Sequence, residues 1–377
     1  MIRRLARWAA GLVLLAALVA SGLGYAAWER FHSPFREWAG EELLVAVAPG
    51  TSVRSILDTL EREGVLEDAR LARLFLVHRL GDPPLLAGEY RFEGPLSAPE
   101  VLAKLRRGEV VTHPVTLIEG LTLDETVDAL AAAGFGDREV FAREVRKVGR
   151  IEDLDPEATN LEGYLYPETY HFARGTSEAE IVDTLVGTFR KRYEAEVAPL
   201  LASQPSEQRT GQRGEPLSLR QLVKLASIVE RETQLDEERP VVASVYANRL
   251  RIGMGLYADP TIIYGKKLEG TWDGNLRRSD LEADSPYNTY RIPGLPPTPI
   301  CSPTLASLLA AVAPAETPYL YFVSRNDGTH VFARSKKEHD RNVYKWQKVY
   351  WRERWARERA ERAAEKAKAE AGSSPSD

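Results

Sequence analysis

One cysteine, Cys301, is present in 377 residues, which excludes an intramolecular disulfide and any multi-cysteine metal site. Histidine is scarce as well. His32, His78, His113, His171, His330 and His339 show no HExxH or other close ligand spacing, so neither a metal nor a cofactor is expected. A basic excess is also missing: 50 Lys and Arg face 55 Asp and Glu, a formal net charge of -5. Binding a phosphate backbone requires the opposite balance, so nucleic acid is not an expected partner. Neither GxSxG nor SxxK occurs, and Cys301 lies in a Pro-flanked loop without a nearby histidine, which disfavours a Ser or Cys hydrolase.

What is present is a globular composition, 44% hydrophobic and 28% charged, in a chain long enough for two or three domains. The clearest physical signal is at the N-terminus. Trp8 to Trp28, WAAGLVLLAALVASGLGYAAW, is 21 residues without a charge; a helix of that length covers about 30 Å, the hydrocarbon thickness of a bilayer. Arg3, Arg4 and Arg7 precede it. The positive-inside rule therefore keeps residues 1–7 in the cytoplasm and places everything after Trp28 outside, as a single-pass protein of the inner (plasma) membrane. The alternative is a cleaved signal peptide, for which the small residues from Ala20 to Gly24 offer a site. The length of the run and its flanking tryptophans favour an anchor, and no Cys follows to make a lipoprotein.

Beyond the anchor the pattern predicts an α+β protein. LLVAVAPGTSVRSILDTLEREGVL reads as strand, turn and helix, with Ser52 as N-cap and Ile56, Leu57 and Leu60 at helical spacing. LLAGEYRFEG reads as a strand, and SAPEVLAKLRRGE as a capped helix ending near Gly108. Residues 43–110 thus form a small α+β module. HPVTLIEG is a further expected strand, and LTLDETVDALAAAG a helix capped near Thr122. Residues 111–345 make a larger mixed α+β domain, interrupted at 204–216 by QPSEQRTGQRGEP, a polar insertion read as an exposed loop. Two helical stretches follow from Ser218, then loop-rich aromatic sequence. A hairpin is expected around YLYFVSRNDGTHVFA, turning at Asn326-Asp327-Gly328. Residues 350–377 form a charged tail, a solvated helix or disordered.

The stretch LVKLASIVERETQ carries two glutamates, Glu230 and Glu232. On a helix, Leu222, Leu225 and Val229 form the core-facing stripe, and Glu230 sits about 100° further round. Its neighbours at three and four positions, Ala226, Ser227, Thr233 and Gln234, are small or polar and leave room for a ligand. A carboxyl at the margin of an apolar face can be kept protonated by desolvation, as a general acid for glycosidic cleavage requires. Spacing alone does not separate this from an ordinary surface glutamate at a helix end. Glu232 extends the Ile228 and Val229 side and is read as structural, pairing with Arg231 or Arg239.

The blocks LEGYLYPETYHF, LASIVERET, ASVYANRLRIGMGLYADPTIIYG, DSPYNTYRIPGLPPTPICSP and TPYLYFVSRNDGTHVFARSKKEHDRNV, in this order, resemble the endolytic murein transglycosylase family, also called MltG or YceG-like. The likeness covers most of residues 45 to 345. It implies a lytic transglycosylase, a lyase that cuts peptidoglycan glycan strands internally beside N-acetylmuramic acid and leaves a 1,6-anhydro end. It implies Glu230 as catalytic residue, protonating the glycosidic oxygen and then taking the proton of the muramyl C6 hydroxyl. Asp259, Thr261, Tyr264, Tyr287, Asn288, Thr289 and Tyr290 are the expected glycan-binding wall. Turn closure for Asn288 and Thr289, helix capping for Asp259 and core packing for the tyrosines are the alternatives. Tyr164, Tyr166 and Tyr170 are read as packing. The small module resembles a LysM-like subdomain, with a spacer or docking surface as the alternative. Partners implied by the family are glycan strands and peptidoglycan synthases. The rival readings are a non-catalytic envelope scaffold and a muramidase using water, for which Asp259, Glu168, Asp280, Glu282 and Asp284 offer a second carboxylate.

Overall fold

The computed structural model describes residues 2–204 and 217–372, and the chain divides into two units. The first contains residues 1–115 and 171–177. It opens with helix α1 (Ile2–His32), which includes a stretch, Ala10–His32, long and apolar enough to cross a membrane. Strand β1 (Leu43–Val47), helices α2 (Val53–Arg62) and α3 (Ala69–Leu80), strand β2 (Gly88–Phe92) and helix α4 (Ala98–Arg107) follow. β1 and β2 pair antiparallel from Leu43 opposite Phe92 to Val47 opposite Gly88. The alternation of β1 and β2 turns Val45, Val47, Tyr90 and Phe92 inward against Ile56, Leu57 and Leu60 of α2 and Val101, Leu102 and Leu105 of α4. Phe31 joins this core from the end of α1, its ring 4.7 Å from that of Phe75. Ser52 caps α2 as expected. The helix α3 was not anticipated: only Ala69, Ala72 and Leu76 of it are buried, a stripe too narrow to stand out among its arginines.

Strand β3 (Thr112–Thr116) pairs with β4 (Thr169–Ala173), and the chain passes between units within these strands. The second unit, residues 116–170 and 178–377, holds α5 (Leu123–Ala132), with the Thr122 capping box read from the sequence, and α6 (Arg138–Glu144). After β4 come α7 (Glu178–Arg192) and α8 (Ala198–Ser203). The expected loop from Gln204 to Pro216 lies outside the described residues beyond Gln204. The unit continues with α9 (Leu219–Glu232), α10 (Arg239–Arg251), α11 (Asp259–Leu268), α12 (Arg278–Glu282) and α13 (Leu305–Val312). The hairpin β5 (Tyr321–Ser324) and β6 (His330–Ala333) precedes α14 (Lys336–Val343) and the mostly exposed tail helix α15 (Tyr350–Gly372). Ser324 stands opposite His330 in the hairpin, whose turn uses left-handed Asn326 and Gly328.

Helix α9 is the axis of this unit. Ser218 and Gln221 close its capping box, and Leu222, Val223, Leu225, Ala226, Ile228 and Val229 are all inaccessible to solvent, so it is enclosed on nearly every side. α10, α11 and α13 pack on it. Tyr164, Tyr166 and Tyr170 are buried, as the packing reading expects.

Candidate active site

Helix α9 ends at Glu232, where Thr233 turns extended, and its last turn carries both glutamates. Their settings are the reverse of those expected from the sequence. The Glu230 carboxylate is 1% exposed and accepts three hydrogen bonds within the protein. Arg239 Nη1 donates to Oε1 at 2.9 Å, and the backbone N–H and Oγ1 of Thr304 each donate to Oε2 at 2.7 Å. Thr304 is the N-cap of α13, so the carboxylate sits against the positive end of that helix. Arg239 Nη1 also donates to Ser307 Oγ at 2.7 Å. A buried ring of polar contacts therefore ties α9, α10 and α13 together at Glu230.

The room expected beside Glu230 is taken by residues 300–304. Ile300 N–H donates to Ser227 Oγ, Cys301 Sγ lies 3.3 Å from Ser227 O, and Ala226 and Ser227 are wholly buried. Burial raises the Cys301 thiol well above the ordinary thiol range, so it is an inert packing group. Gly120 and Leu121 hold this segment in place, since Gly120 N–H donates to Ser302 O and Ser302 N–H to Leu121 O. Gly120 has φ +74°, and Arg231 Nη1 donates to its carbonyl at 3.2 Å. The expected pairing of Glu232 with Arg231 or Arg239 is thus absent: both guanidinium groups are engaged elsewhere.

Glu232 is half-buried. It lies on the wall shared by two cavities, of about 710 Å³ and 740 Å³. Tyr246 of α10 donates its hydroxyl to Glu232 Oε1 at 2.7 Å. Burial pushes the Glu232 carboxyl up to about 7; the Tyr246 bond opposes the rise, the Asp259 charge adds to it and Arg249 offsets it. A carboxyl protonated near neutrality beside a cleft can donate a proton to a leaving oxygen.

The 710 Å³ cavity also contacts Gly120, Glu230 and Arg231, and it shares Glu232, Ser324 and His330 with the 740 Å³ cavity. The larger one is walled by Tyr257, Tyr290 and Tyr321, with Arg249 between them. The Arg249 guanidinium stands 5.5 Å from both the Tyr257 and Tyr321 ring centroids, and its Nε donates to Leu320 O. Tyr257 has φ +50°, an uncommon conformation for an aromatic residue, and its exposed ring meets Tyr290 edge-on at 5.2 Å. Aromatic faces beside fixed polar groups suit a sugar, which presents apolar C–H faces and polar edges.

Of the expected binding wall, Asp259 and Tyr290 line this cavity, and Tyr290 donates its hydroxyl to Asp259 Oδ1 at 2.7 Å. The others do not line it, and all but Tyr287 are buried. Asn288 is inaccessible; its amide donates to the Asp280, Leu281 and Ala283 carbonyls, closing the turn after α12. Thr261 and Thr289 are inaccessible too, 3.0 Å apart through their hydroxyls, and tie the start of α11 to that turn. Tyr264 is buried and donates to Glu162, beside a separate cavity of about 120 Å³. Tyr287 is half-buried, its hydroxyl 2.9 Å from Thr298. These polar side chains satisfy buried backbone or one another, which a sequence motif does not reveal. Tyr246, Thr304 and His330 were not singled out from sequence, and Arg239 was read only as a partner of Glu232; the signal available for His330 was its place just after the hairpin turn.

Comparison with known proteins adds an independent line. A family model described as the YceG-like family matches residues 45–345. An endolytic murein transglycosylase of Bacillus subtilis is 28% identical over 321 residues, 80% of this chain and 84% of the relative. One from Streptococcus pneumoniae is 27% identical over 365 residues, 88% of this chain but only 63% of that longer relative. A crystal structure of a YceG-like protein from Listeria monocytogenes superposes with TM-score 0.53 at 28% identity, over 80% of this chain and 99% of the other. The resemblance read from the motif blocks is borne out, and over most of its length this chain belongs to the YceG-like family.

Proposed function

We propose that this protein is an endolytic lytic transglycosylase, anchored by α1 in the inner membrane, that cuts nascent peptidoglycan strands next to N-acetylmuramic acid. The observation that carries the chemistry is the Glu232 carboxyl, held up to about 7 by burial, on the wall shared by two cavities, one of them lined by tyrosines. We assign the acid to Glu232, and to Glu230 the task of fixing the helix end that presents it. Glu232 protonates the glycosidic oxygen, the muramyl C6 hydroxyl attacks the anomeric carbon, and the strand ends in a 1,6-anhydro sugar. Holding the C6 hydroxyl within the same sugar makes the attack intramolecular, so no water has to be positioned. Asp259, Tyr290, Tyr257 and Tyr321 form the glycan wall, and the module at 43–110 takes the LysM-like, glycan-holding role. Anchoring confines the site to newly polymerised strands, and peptidoglycan synthases are the natural partners of such a placement.

A muramidase is the second reading, favoured by one observation: Asp259 lines the same cavity as Glu232, giving two carboxyls in one cleft. Digestion of purified glycan strands with mass spectrometry of the new ends decides between them. Ends one water lighter than hydrolysis products support the transglycosylase; water-added ends make Asp259 the partner carboxylate. No cleavage by folded, glycan-binding protein means a scaffold.

A further inference from the structure

His330 opens β6 and lines both cavities that Glu232 lines. Its ring is held in one orientation. Nδ1 lies 2.6 Å from Glu238 Oε2, and the His330 backbone N–H donates to the other oxygen, Oε1, at 2.8 Å. Glu238 is the residue immediately before α10. Phe322 packs edge-on against the imidazole at 5.4 Å, closing off that side. Among the described residues no protein group bonds Nε2. A carboxylate on Nδ1 keeps the proton there and leaves the lone pair on Nε2, the arrangement by which an oriented imidazole acts as a base.

We propose that His330 Nε2 takes the proton of the attacking C6 hydroxyl, with Glu238 as its positioning residue, so that acid and base are separate groups. The inference rests on Glu232 as the acid. C1–O4 breaks as the Glu232 proton goes to O4, and O6–C1 then forms on the same face of the sugar as the O6 proton goes to Nε2; exchange with solvent afterwards resets both groups. Tyr246 occupies one Glu232 oxygen, leaving a single oxygen to serve the leaving group, and a neighbouring imidazole removes the need for that same oxygen to reload during the reaction.

The charged groups around these cavities are Glu230, Glu232, Arg231 and Arg239 on the α9 and α10 side, together with Glu238 and, from the segment before α5, Glu119. On the other side stand Arg249, Asp259, Lys336 and His339. Arg239 is paired with Glu230 and Lys336 with Asp340, and Arg231 and Arg249 donate to backbone carbonyls.

The test uses the full chain in detergent with uncrosslinked glycan strands, counting 1,6-anhydro ends from acid to alkaline pH. A separate base predicts that His330→Gln lowers kcat/KM about 100-fold and removes the acidic limb of the pH profile. Glu238→Gln, which cannot hold the Nδ1 proton as a carboxylate does, lowers it about tenfold or more with the limb displaced. Added imidazole restores activity to His330→Ala, a response that damaged packing does not give. Activity of His330→Gln within about threefold of wild type overturns the inference, as does a loss with unchanged pH profile and no rescue. Glu232→Gln is assayed alongside: full activity there removes the acid assignment whatever His330 does, whereas an inactive Glu232→Gln beside a normal His330→Gln removes only the present inference.

Discussion

Replacing each glutamate of α9 by glutamine separates support from chemistry. Glu230→Gln puts an amide where a 1%-exposed carboxylate accepts from Arg239 and twice from Thr304. The amide has one acceptor oxygen, so its NH2 must face a donor, and Arg239, itself 6% exposed in its side chain, loses its buried counter-charge and keeps only the exposed Asp236 at its Nε. Removing one partner of a buried pair costs about 3 to 5 kcal/mol. For a unit of this size that lowers the melting temperature by roughly 6 to 20 °C. Glu232→Gln keeps an oxygen for Tyr246 and replaces a carboxyl already protonated near neutrality, so its stability changes by about 1 kcal/mol or less. Its glycan cleavage falls by about 100-fold or more. The assay is thermal unfolding of each variant beside counts of new glycan ends. A Glu230→Gln protein that melts with the wild type and is inactive, with Glu232→Gln still cutting, refutes the reasoning and returns the acid to Glu230.

Other outcomes follow from the same structure. Gly120→Ala places a Cβ 3.3 Å from Arg231 Nη1 at φ +74°; the left-handed conformation alone costs about 1 to 2 kcal/mol, read as a lowered denaturant midpoint. Tyr257→Ala strips an exposed ring from the aromatic wall and raises KM for glycan about tenfold, with kcat within about threefold; a loss confined to kcat contradicts a binding role. Burial pushes Glu162 up to about 8, against the pull of hydrogen bonds from Leu123 N–H and Tyr264 O–H. An unfolded glutamate titrates near about 4.3, so between there and about 8 the native state binds the extra proton and stability falls as pH rises. Glu162→Gln removes that part of the slope, which denaturant midpoints at both ends of the window check; an unchanged slope means Glu162 is already ionised in the native protein.

Local signals carried far in this chain. The capped helix starts at Ser52 and Thr122 and the hairpin around Asn326 and Gly328 are set by contacts a few residues apart, and the structure has them where the sequence places them. Helix α3 escaped because its buried positions, Ala69, Ala72 and Leu76, include two alanines and give little periodic contrast. The helix end that carries both glutamates was legible; that Glu230 is bonded within the protein was not. A helical projection finds the angle of Glu230 on α9 but not what lies over it, and the cover comes from residues 300–304, seventy positions on. The same limit explains Asn288, Thr261 and Thr289: a polar side chain in a motif is equally suited to a sugar or to an unsatisfied carbonyl, and here the carbonyls and neighbouring hydroxyls claim it.

Phe31 sits near the end of the apolar stretch Ala10–His32 and is at the same time part of the first unit's core. No slack therefore separates the bilayer-length helix from the folded module: α1 is a rigid stem, not a leash. If that stem crosses a membrane as proposed, the 43–110 module rides against the lipid headgroups, and its tilt follows the tilt of the helix. Lengthening the stem by a full turn lifts the module by about 5 Å without changing its face, whereas adding two residues rotates it by about 200°. The stem is thus a dial for orientation as well as height.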